Sequence, residues 1–446
     1  MFGNNESVAI EKCRRGDNGV LVVGFTENVA GENEKGAMML VTKAHKILLD
    51  ISPEIERQFV SWCGAARWSY NFGLGRKKEA FEKTGRSPGS YALMKEVVAL
   101  KKTDEYAWLN DIPKSVPRMA LMQLETAYAN FFRRVKGGNA KPGFPRFRSK
   151  KRSRMCFHLE PDAIAVDGNR VRIPKIGWLK MHQAIRFKGK LVGTVCVSYT
   201  AGRWYASFSV ETEIADPIEK QEREAVGVDV GIKHLAVLSD GKMFANPKSF
   251  YRLEGLLTRA QRQVARKKEG SNRWQKAKVR VQRIHKRIAD LRANATHHVS
   301  AYVAANYDGV AIEDLNVSGM AQNRHLAKAV LDANMTELHR QLMYKMAWSG
   351  GEVRQVNRFF PSSRLCSVCG LINGELTLAD REWTCKCGAH HDRDLNAANN
   401  LAIKCFGRGS AVTARGGLGA ARPTDEARTT FVDGTKKGVL LDLAAI

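Results

Sequence analysis

The chain has 446 residues, enough for three domains at ~150 residues each. Lys and Arg number 72 against 45 Asp and Glu, and a net charge of +27 on a compact chain calls for a polyanion, so nucleic acid is the first expected partner. The 44% hydrophobic and 8% aromatic content excludes a disordered basic protein, and no apolar run nears the ~20 residues that cross a bilayer, Gly19–Phe25 being the longest. The N-terminus is polar and of mixed charge, with no small-residue cleavage site after its short apolar run. The expectation is a soluble, cytoplasmic protein with no membrane partner.

In chain order, residues 1–42 show little periodicity and read as a loosely held extension, with the folded chain beginning near Met39 and a strand over Leu40–Leu49. Residues 53–135 are expected to be helical. Ile55, Phe59, Trp62, Cys63, Ala66 and Tyr70 share one helical face. Ser115 is a candidate cap for a further helix, with Pro117 in its first turn and an apolar stripe of Ala120, Leu121, Leu124, Tyr128, Phe131 and Phe132 that ends at Gly137-Gly138. A basic stretch, Lys141–Arg154, leads into two predicted hairpins. Ala163–Val166 and Arg170–Ile173 flank Asp167-Gly168-Asn169, and Val192–Tyr199 and Arg203–Val210 flank Thr200-Ala201-Gly202. Short alternating strands of this kind predict a small β-barrel. From Val226 the pattern becomes strand, hairpin, long helices, strand and helix, and after about residue 405 the Gly-, Ala-, Arg- and Thr-rich tail reads as mostly disordered, with Val439–Leu443 the segment able to pack.

Three acids stand out in that last region. Asp229 ends the apolar strand Ala225-Val-Gly-Val-Asp, Glu313 ends Gly309-Val-Ala-Ile-Glu, and Asp394 opens a helix whose Leu395, Ala398, Leu401 and Ala402 face inward. Either strand-end acid alone reads most simply as an ordinary capped residue. Three in matching contexts within so basic a chain point instead to convergence on divalent metal. Mg²⁺ or Mn²⁺ takes oxygen ligands, and two such ions ~3.5–4 Å apart can activate water and stabilise the leaving oxygen of a phosphodiester.

Nine cysteines are present, an odd number. Cys13, Cys63, Cys156, Cys196 and Cys405 are scattered, but Cys366-x-x-Cys369 and Cys385-x-Cys387 lie 15 residues apart, close to the spacing of a zinc ribbon. The second pair is one residue tighter than usual, and His390 or His391 could replace a thiolate if that turn cannot close. Such a short segment, poor in apolar residues, needs a metal staple, and the ribbon would fix where Asp394 enters.

Gly227-Val-Asp-Val-Gly231, Ile312-Glu-Asp-Leu-Asn-Val-Ser-Gly-Met320, Arg358-Phe-Phe-Pro-Ser-Ser363 leading into Cys366-Ser-Val-Cys-Gly370, and Asp392-Arg-Asp-Leu-Asn-Ala-Ala398 resemble the blocks of the TnpB family, in family order. These are transposon-encoded, RNA-guided nucleases related to the type V CRISPR effectors. The resemblance implies an α/β fold with β-barrel and helical lobes. Its core would be ribonuclease-H-like (RuvC) over 223–357 and 394–405, with a zinc ribbon over 358–393. A wedge-type barrel over 43–52 and 136–222 would carry a helical recognition lobe over 53–135, and 406–446 would be a flexible tail. It also implies that Asp229, Glu313 and Asp394 are the catalytic acids and that Asp392 is a neighbour. Their Asp, Glu, Asp order along the chain differs from the Asp, Asp, Glu order of the usual cut-and-paste transposases.

Two basic surfaces complete the picture. Residues 252–292 carry 14 Lys and Arg against three acids, interleaved with apolar residues as a helical hairpin broken near Gly270-Ser271-Asn272. A merely solvated face mixes both signs, so Arg262, Arg266, Lys267, Arg273, Lys276, Arg280, Arg283 and Arg287 are candidate phosphate contacts. Arg146, Arg148, Lys150 and Arg152, near Phe144 and Phe147, are a second set, suited to structured RNA or a heteroduplex. His297-His298 read as core-edge or phosphate-facing histidines. The expected function is an RNA-guided endonuclease using Mg²⁺ or Mn²⁺, Zn²⁺ and a guide RNA to cut double-stranded DNA beside a short adjacent motif, and the guide rests on resemblance alone. A catalytically silent guide-dependent repressor or transposition accessory is the alternative, whose signature would be a missing acid. A guide-free junction nuclease is disfavoured, since it needs neither basic lobes nor a ribbon.

Overall fold

The structure is a computed structural model, and it describes residues 13–15, 21–23, 38–138, 141–215, 224–377 and 379–410. The expectation for Val439–Leu443 lies outside the described residues. No helix among them is long and apolar enough to cross a membrane.

Strands β1 (Cys13–Arg15) and β2 (Leu21–Val23) precede the long strand β3 (Met38–Asp50). Helices α1 (Pro53–Thr84), α2 (Ser90–Leu100) and α3 (Ser115–Lys136) follow, as the apolar periodicity requires. Ser52 caps α1 through its hydroxyl, which accepts from Ile55 N. Ser115 does not cap α3. It sits inside the first turn behind Lys114, and its buried Oγ has no hydrogen-bond partner. The capping position falls one residue earlier, on Lys114, whose ammonium has no acceptor atom to offer the first-turn amides.

Strands β4 (Cys156–Leu159), β5 (Ala165–Asp167), β6 (Arg170–Ile173), β7 (Gly177–Met181), β8 (Lys190–Thr200) and β9 (Arg203–Ala215) join β3 in a seven-stranded sheet of order β4-β8-β9-β3-β7-β6-β5. Both expected hairpins form. The β8–β9 turn is the two-residue pair Ala201-Gly202, each at positive φ, the backbone that lets a tight turn follow the twist of its strands. No ladder joins β4 to β5 among the described residues, so the expected barrel appears as a sheet with two outer strands. Phe59 and Trp62 of α1 pack edge-on against Phe157 of β4, and Trp204 of β9 meets Phe59, so the helices and sheet share one core.

The second sheet is built from β10 (Ala225–Asp229), β11 (His234–Leu238), β12 (Met243–Ala245), β13 (Gly309–Glu313) and β14 (Glu352–Val356). Helices α4 (Ser249–Ala265) and α5 (Asn272–Asn306) lie between β12 and β13, and α6 (Val317–Met320), α7 (Ala327–Ala333) and α8 (Met335–Ser349) between β13 and β14. The order is β1-β2-β14-β13-β10-β11-β12, with β10, β13 and β14 parallel and the rest antiparallel. Here the expected loose extension needs correction. Leu21–Val23 pairs with β14, Val23 opposite Val353, and so lies within this sheet. Its partner lies at the other end of the chain, where no local pattern could reveal it. The short hairpin β15 (Glu382–Thr384) and β16 (His390–Asp392) leads straight into α9 (Arg393–Ser410), whose helical backbone is interrupted at Gly407, close to the expected boundary at 405.

Candidate active site and cysteine cluster

Strand β10 is apolar and buried from Ala225 to Val228, and only its last residue, Asp229, reaches partial exposure. β13 repeats the pattern, buried from Gly309 to Ile312 and half-buried at Glu313. The parallel ladder sets Val228 opposite Ile312, so Asp229 and Glu313 stand level at the carboxyl ends of adjacent strands. The chain leaves β10 toward β11 on one side and returns through β13 on the other. In open α/β sheets such a reversal makes a crevice outside the strand ends, where ligands bind.

The third acid is brought in by α9. A Cβ on Gly227 would stand 1.9 Å from the Ala398 carbonyl oxygen, so only glycine lets this helix lie directly on β10. Asp394 lies one turn before Ala398, toward the strand's carboxyl end. Asp392 caps the helix, its Oδ1 accepting from the Asp394 and Leu395 amides at 3.0 and 2.9 Å. Its charge also bears on Asp229. Leu395 is half-buried, while Ala398, Leu401 and Ala402 are buried as expected.

The electrostatics tie the three acids together. Burial, then the charges of Asp394 and Glu313, push the Asp229 carboxyl up to about 8. Burial, with the adjacent Asp314 charge, pushes Glu313 up to about 7. Asp394 is better compensated, with Arg393 Nη2 at 3.3 Å and Arg381 Nη1 at 3.8 Å from its Oδ1. The oxygens of the three acids do not all fall within 4.8 Å of one another, so the group is an open cluster rather than a closed cage. Asp229 and Glu313 are hard oxygen donors whose ionisation is held back by burial and neighbouring acids, and they suit a divalent cation, which supplies the missing positive charge. The residues present therefore fit Mg²⁺ or Mn²⁺. Beside them Asp314 accepts from Arg358 Nη2 at 2.6 Å, anchoring the loop that follows β14.

Cys366, Cys369, Cys385 and Cys387 place their sulfurs within 4.8 Å of one another, a donor set that could hold zinc. Two matching turns make this possible. Gly370 N donates to Cys366 O at 2.9 Å and Gly388 N to Cys385 O at 2.8 Å, both glycines at positive φ, so the shorter Cys-x-Cys pair closes as well as the longer one. His391 stands beside this four-sulfur set. Its Nε2 lies 3.1 Å from Cys366 Sγ, and its ring packs on Trp383.

Sequence reasoning missed two asparagines. Asn396 Nδ2 donates to Leu365 O at 2.7 Å, and its Oδ1 accepts from Ser367 N at 3.1 Å. Asn400 Nδ2 donates to Ser362 O at 2.8 Å and Leu365 O at 2.6 Å. Both are buried on α9, so the helix that carries Asp394 also grips the start of the cysteine segment. The signal was available, since Asn at positions four apart on an otherwise apolar helical face demands polar partners.

The basic residues separate into two groups. On α5, Arg273, Lys276, Arg280, Arg283 and Arg287 are exposed and fall three or four apart, forming one stripe beside the buried Ala277, Ile284 and Ile288. Arg262 and Arg266 on α4 and its end are exposed, and Lys267 is half-buried. Arg283 also donates through Nε to Ala201 O at 3.3 Å, which ties α5 to the β8–β9 turn. Arg146, Lys150 and Arg152 are exposed, but Arg148 is engaged inside the chain. Its guanidinium lies 3.7 Å from the Tyr70 ring and donates to Gln123 Oε1, while its backbone pairs with the Asn71 amide. His298 meets Phe244 edge-on, a core-edge position.

Three family models match: OrfB of IS605, described as a probable transposase, over residues 207–324; a Cas12f1-like TNB domain over 336–401; and a helix-turn-helix domain over 38–86. A Streptomyces pristinaespiralis protein named "Putative RNA-guided DNA endonuclease" is 37% identical over 355 residues, spanning 78% of this chain and 84% of that one. InsQ of Escherichia coli K12, which carries the same description, is 33% identical over 413 residues, 88% of this chain and 99% of that one. The chain belongs to the TnpB (OrfB) family. A solved structure described as the mini-RNA-guided endonuclease CRISPR-Cas_phi3 overlays with a TM-score of 0.46 at 10% identity, covering 86% of this chain and 94% of the other. In this TnpB-family chain the helix-turn-helix match falls on β3 and α1, one strand followed by one long helix.

Proposed function

We propose that this chain is an RNA-guided DNA endonuclease, dependent on Mg²⁺ or Mn²⁺, that cuts target DNA beside a short adjacent motif. The family and the activities named for its relatives support a nuclease that takes its address from RNA. The observation that carries the reading is that Asp229 and Glu313 end adjacent parallel strands level with each other, with Asp229 under the charges of both Glu313 and Asp394. The order β12-β11-β10-β13-β14, three antiparallel strands and then two parallel ones, supports a ribonuclease-H-like core.

Asp229 and Glu313 would hold the ions from the sheet and Asp394 from the helix. Bound there, the ions supply an activated water and charge stabilisation at the leaving oxygen. The chain's own part is placement. The rigid strand ends fix two carboxylates, Asp392 fixes the first turn of α9, and Arg393 pairs with Asp394. The stripe from Arg273 to Arg287, with Arg262, Arg266 and Lys267, would hold phosphates without reading sequence, and Arg146, Lys150 and Arg152 would do the same for RNA or a heteroduplex. The four cysteines would hold structural zinc, and the seven-stranded sheet with α1–α3 would serve as the wedge and recognition lobe.

The test is to purify the chain from its native locus and sequence the RNA that accompanies it, then assay cleavage of a plasmid matching that RNA. A discrete RNA species with a variable 3′ end, and Mg²⁺-dependent cutting beside the match, are expected. Absence of bound RNA, or cleavage indifferent to its sequence, overturns the proposal.

A further inference from the structure

Cys156, His158 and Cys196 were scattered in sequence, yet the sheet gathers them. β4 is the outermost strand beside β8, and the ladder puts His158 opposite Cys196 and Cys156 opposite Ser198. Strand side chains alternate between faces, so Cys156 and His158 share one face with Cys196. The intervening Phe157 and Leu159 are fully buried in the core on the other. A directly opposed pair has Cβ atoms ~4.5–5.5 Å apart and a diagonal pair ~7–8 Å, within reach of two thiols and an imidazole. Here the two sulfurs and one ring nitrogen of His158 lie within 4.8 Å of one another.

We propose that Cys156, His158 and Cys196 form a second binding site for a thiophilic divalent cation, zinc being the natural occupant, separate from the four-cysteine cluster. Two thiolates and an imidazole are a soft donor set, and three protein ligands leave a fourth tetrahedral position for water or another small ligand. Two thiolates balance the charge of the ion, so the nearby Lys46 and Arg154 meet a neutral assembly. All three ligands are half-buried, which leaves an approach from solvent.

Two local features fit this role. The β8–β9 register shifts between Val192 and Cys196, so the irregularity in β8 ends at the site, where Cys196 stands between Ser207 of β9 and His158 of β4. Such irregularities re-aim side chains and recur beside functional sites. β4 is also short, held by four residue pairs on one side only, and it follows directly on the basic segment ending at Arg154. An ion bridging β4 and β8 would fix that edge strand and with it the exit of the basic segment.

Metal content of the full chain with its bound RNA tests this, measured after purification under reducing conditions with zinc and desalting. The wild type is expected to carry about two zinc equivalents, Cys196→Ser about one, and Cys366→Ser about one. Cys196→Ser combined with Cys366→Ser should carry none. If Cys196→Ser folds poorly, His158→Ala, which removes a side chain from the outer face, should show the same loss. The proposal fails if Cys196→Ser and His158→Ala keep the wild-type content, or if the wild type carries only the zinc that Cys366→Ser removes. It fails equally if Cys156 and Cys196 are found joined as a disulfide in the zinc-loaded protein. Loss of the ribbon's zinc alone bears on the ribbon and leaves this site standing.

Discussion

The cysteine cluster and the carboxylate cluster stand close together in the chain, with Cys387 and Asp394 seven residues apart, yet they are assembled by opposite means. Each pair of cysteines closes within its own turn, through Gly370 N to Cys366 O and Gly388 N to Cys385 O. The acids come from three remote segments, and Asp229 has the other two as neighbours because two parallel strands end level and a helix lies on a glycine. The first centre is a local device that a metal would complete. The second is a product of the whole sheet, and it stores its charge at a cost, as the raised Asp229 and Glu313 carboxyls show. What joins them is α9, whose first turn carries Asp394 while Asn396 and Asn400 grip the cysteine segment.

The largest expected effect breaks one side of this pairing and spares the other. Asp229→Ala should reduce Mg²⁺-dependent cleavage at least ~1,000-fold, the scale on which removing one member of a catalytic unit acts. Zinc content and nucleic-acid affinity should be unchanged, checked by metal analysis and by binding at fixed salt. If affinity collapses as well, Asp229 is a folding residue and the site reading is wrong. The converse break comes next. Cys366→Ser should remove ribbon zinc and lower the melting temperature by on the order of 10 °C, since metal binding in such a segment is folding energy. Unchanged zinc stoichiometry would refute the ribbon assignment.

A third change cuts the link itself. Asn400→Ala strips the side-chain donor from Ser362 O while Leu365 O keeps Asn396, an expected loss of about 1–3 kcal/mol in stability. Zinc should stay bound, while the cleavage rate falls ~10-fold or more because Asp394 loses its support, with substrate affinity held. A variant that loses stability but cuts at the wild-type rate would show that the two centres are independent.

How much of this could be read from the amino acids follows the same division. The ribbon was legible because its ligands are close in sequence and their spacing is dictated by turn geometry. The acids were legible as types in context, an apolar strand ending in a carboxylate, but that Asp229 and Glu313 stand level depends on the β10–β13 register, which no local pattern contains. Gly227 shows why. In sequence it is one glycine in a strand, and only the approach of Ala398 gives it a purpose. The pairing of Leu21–Val23 with β14 was hidden for the same reason, as was the gathering of Cys156, His158 and Cys196 on one face. Arg148 is the reverse case. Its charge suggested an external phosphate, but Tyr70, Asn71 and Gln123 surround it, and a basic residue in a basic run carries no mark of which way it will turn.

The smallest effect is the most specific to the carboxylate side. An isolated carboxyl titrates near 4 in the unfolded chain, whereas Asp229 and Glu313 hold their protons to about 8 and about 7 in the folded, metal-free protein. Between those limits the folded state binds more protons than the unfolded one, so stability falls as pH rises from about 4 to about 8 and is then level in this respect. A cation at the cluster replaces the protons and removes the slope. Melting temperature measured across about pH 5 to 9 should therefore decline by a few degrees in chelator and stay flatter in Mg²⁺. Asp229→Asn, which keeps the shape and discards the charge, should flatten most of the decline even in chelator, and Cys366→Ser should leave the difference between chelator and Mg²⁺ in place. An equal slope with and without Mg²⁺ in the wild type would mean that the protons on these two acids are not competing with a metal ion, and the division between a charged, sheet-built centre and a locally closed one would lose its physical basis.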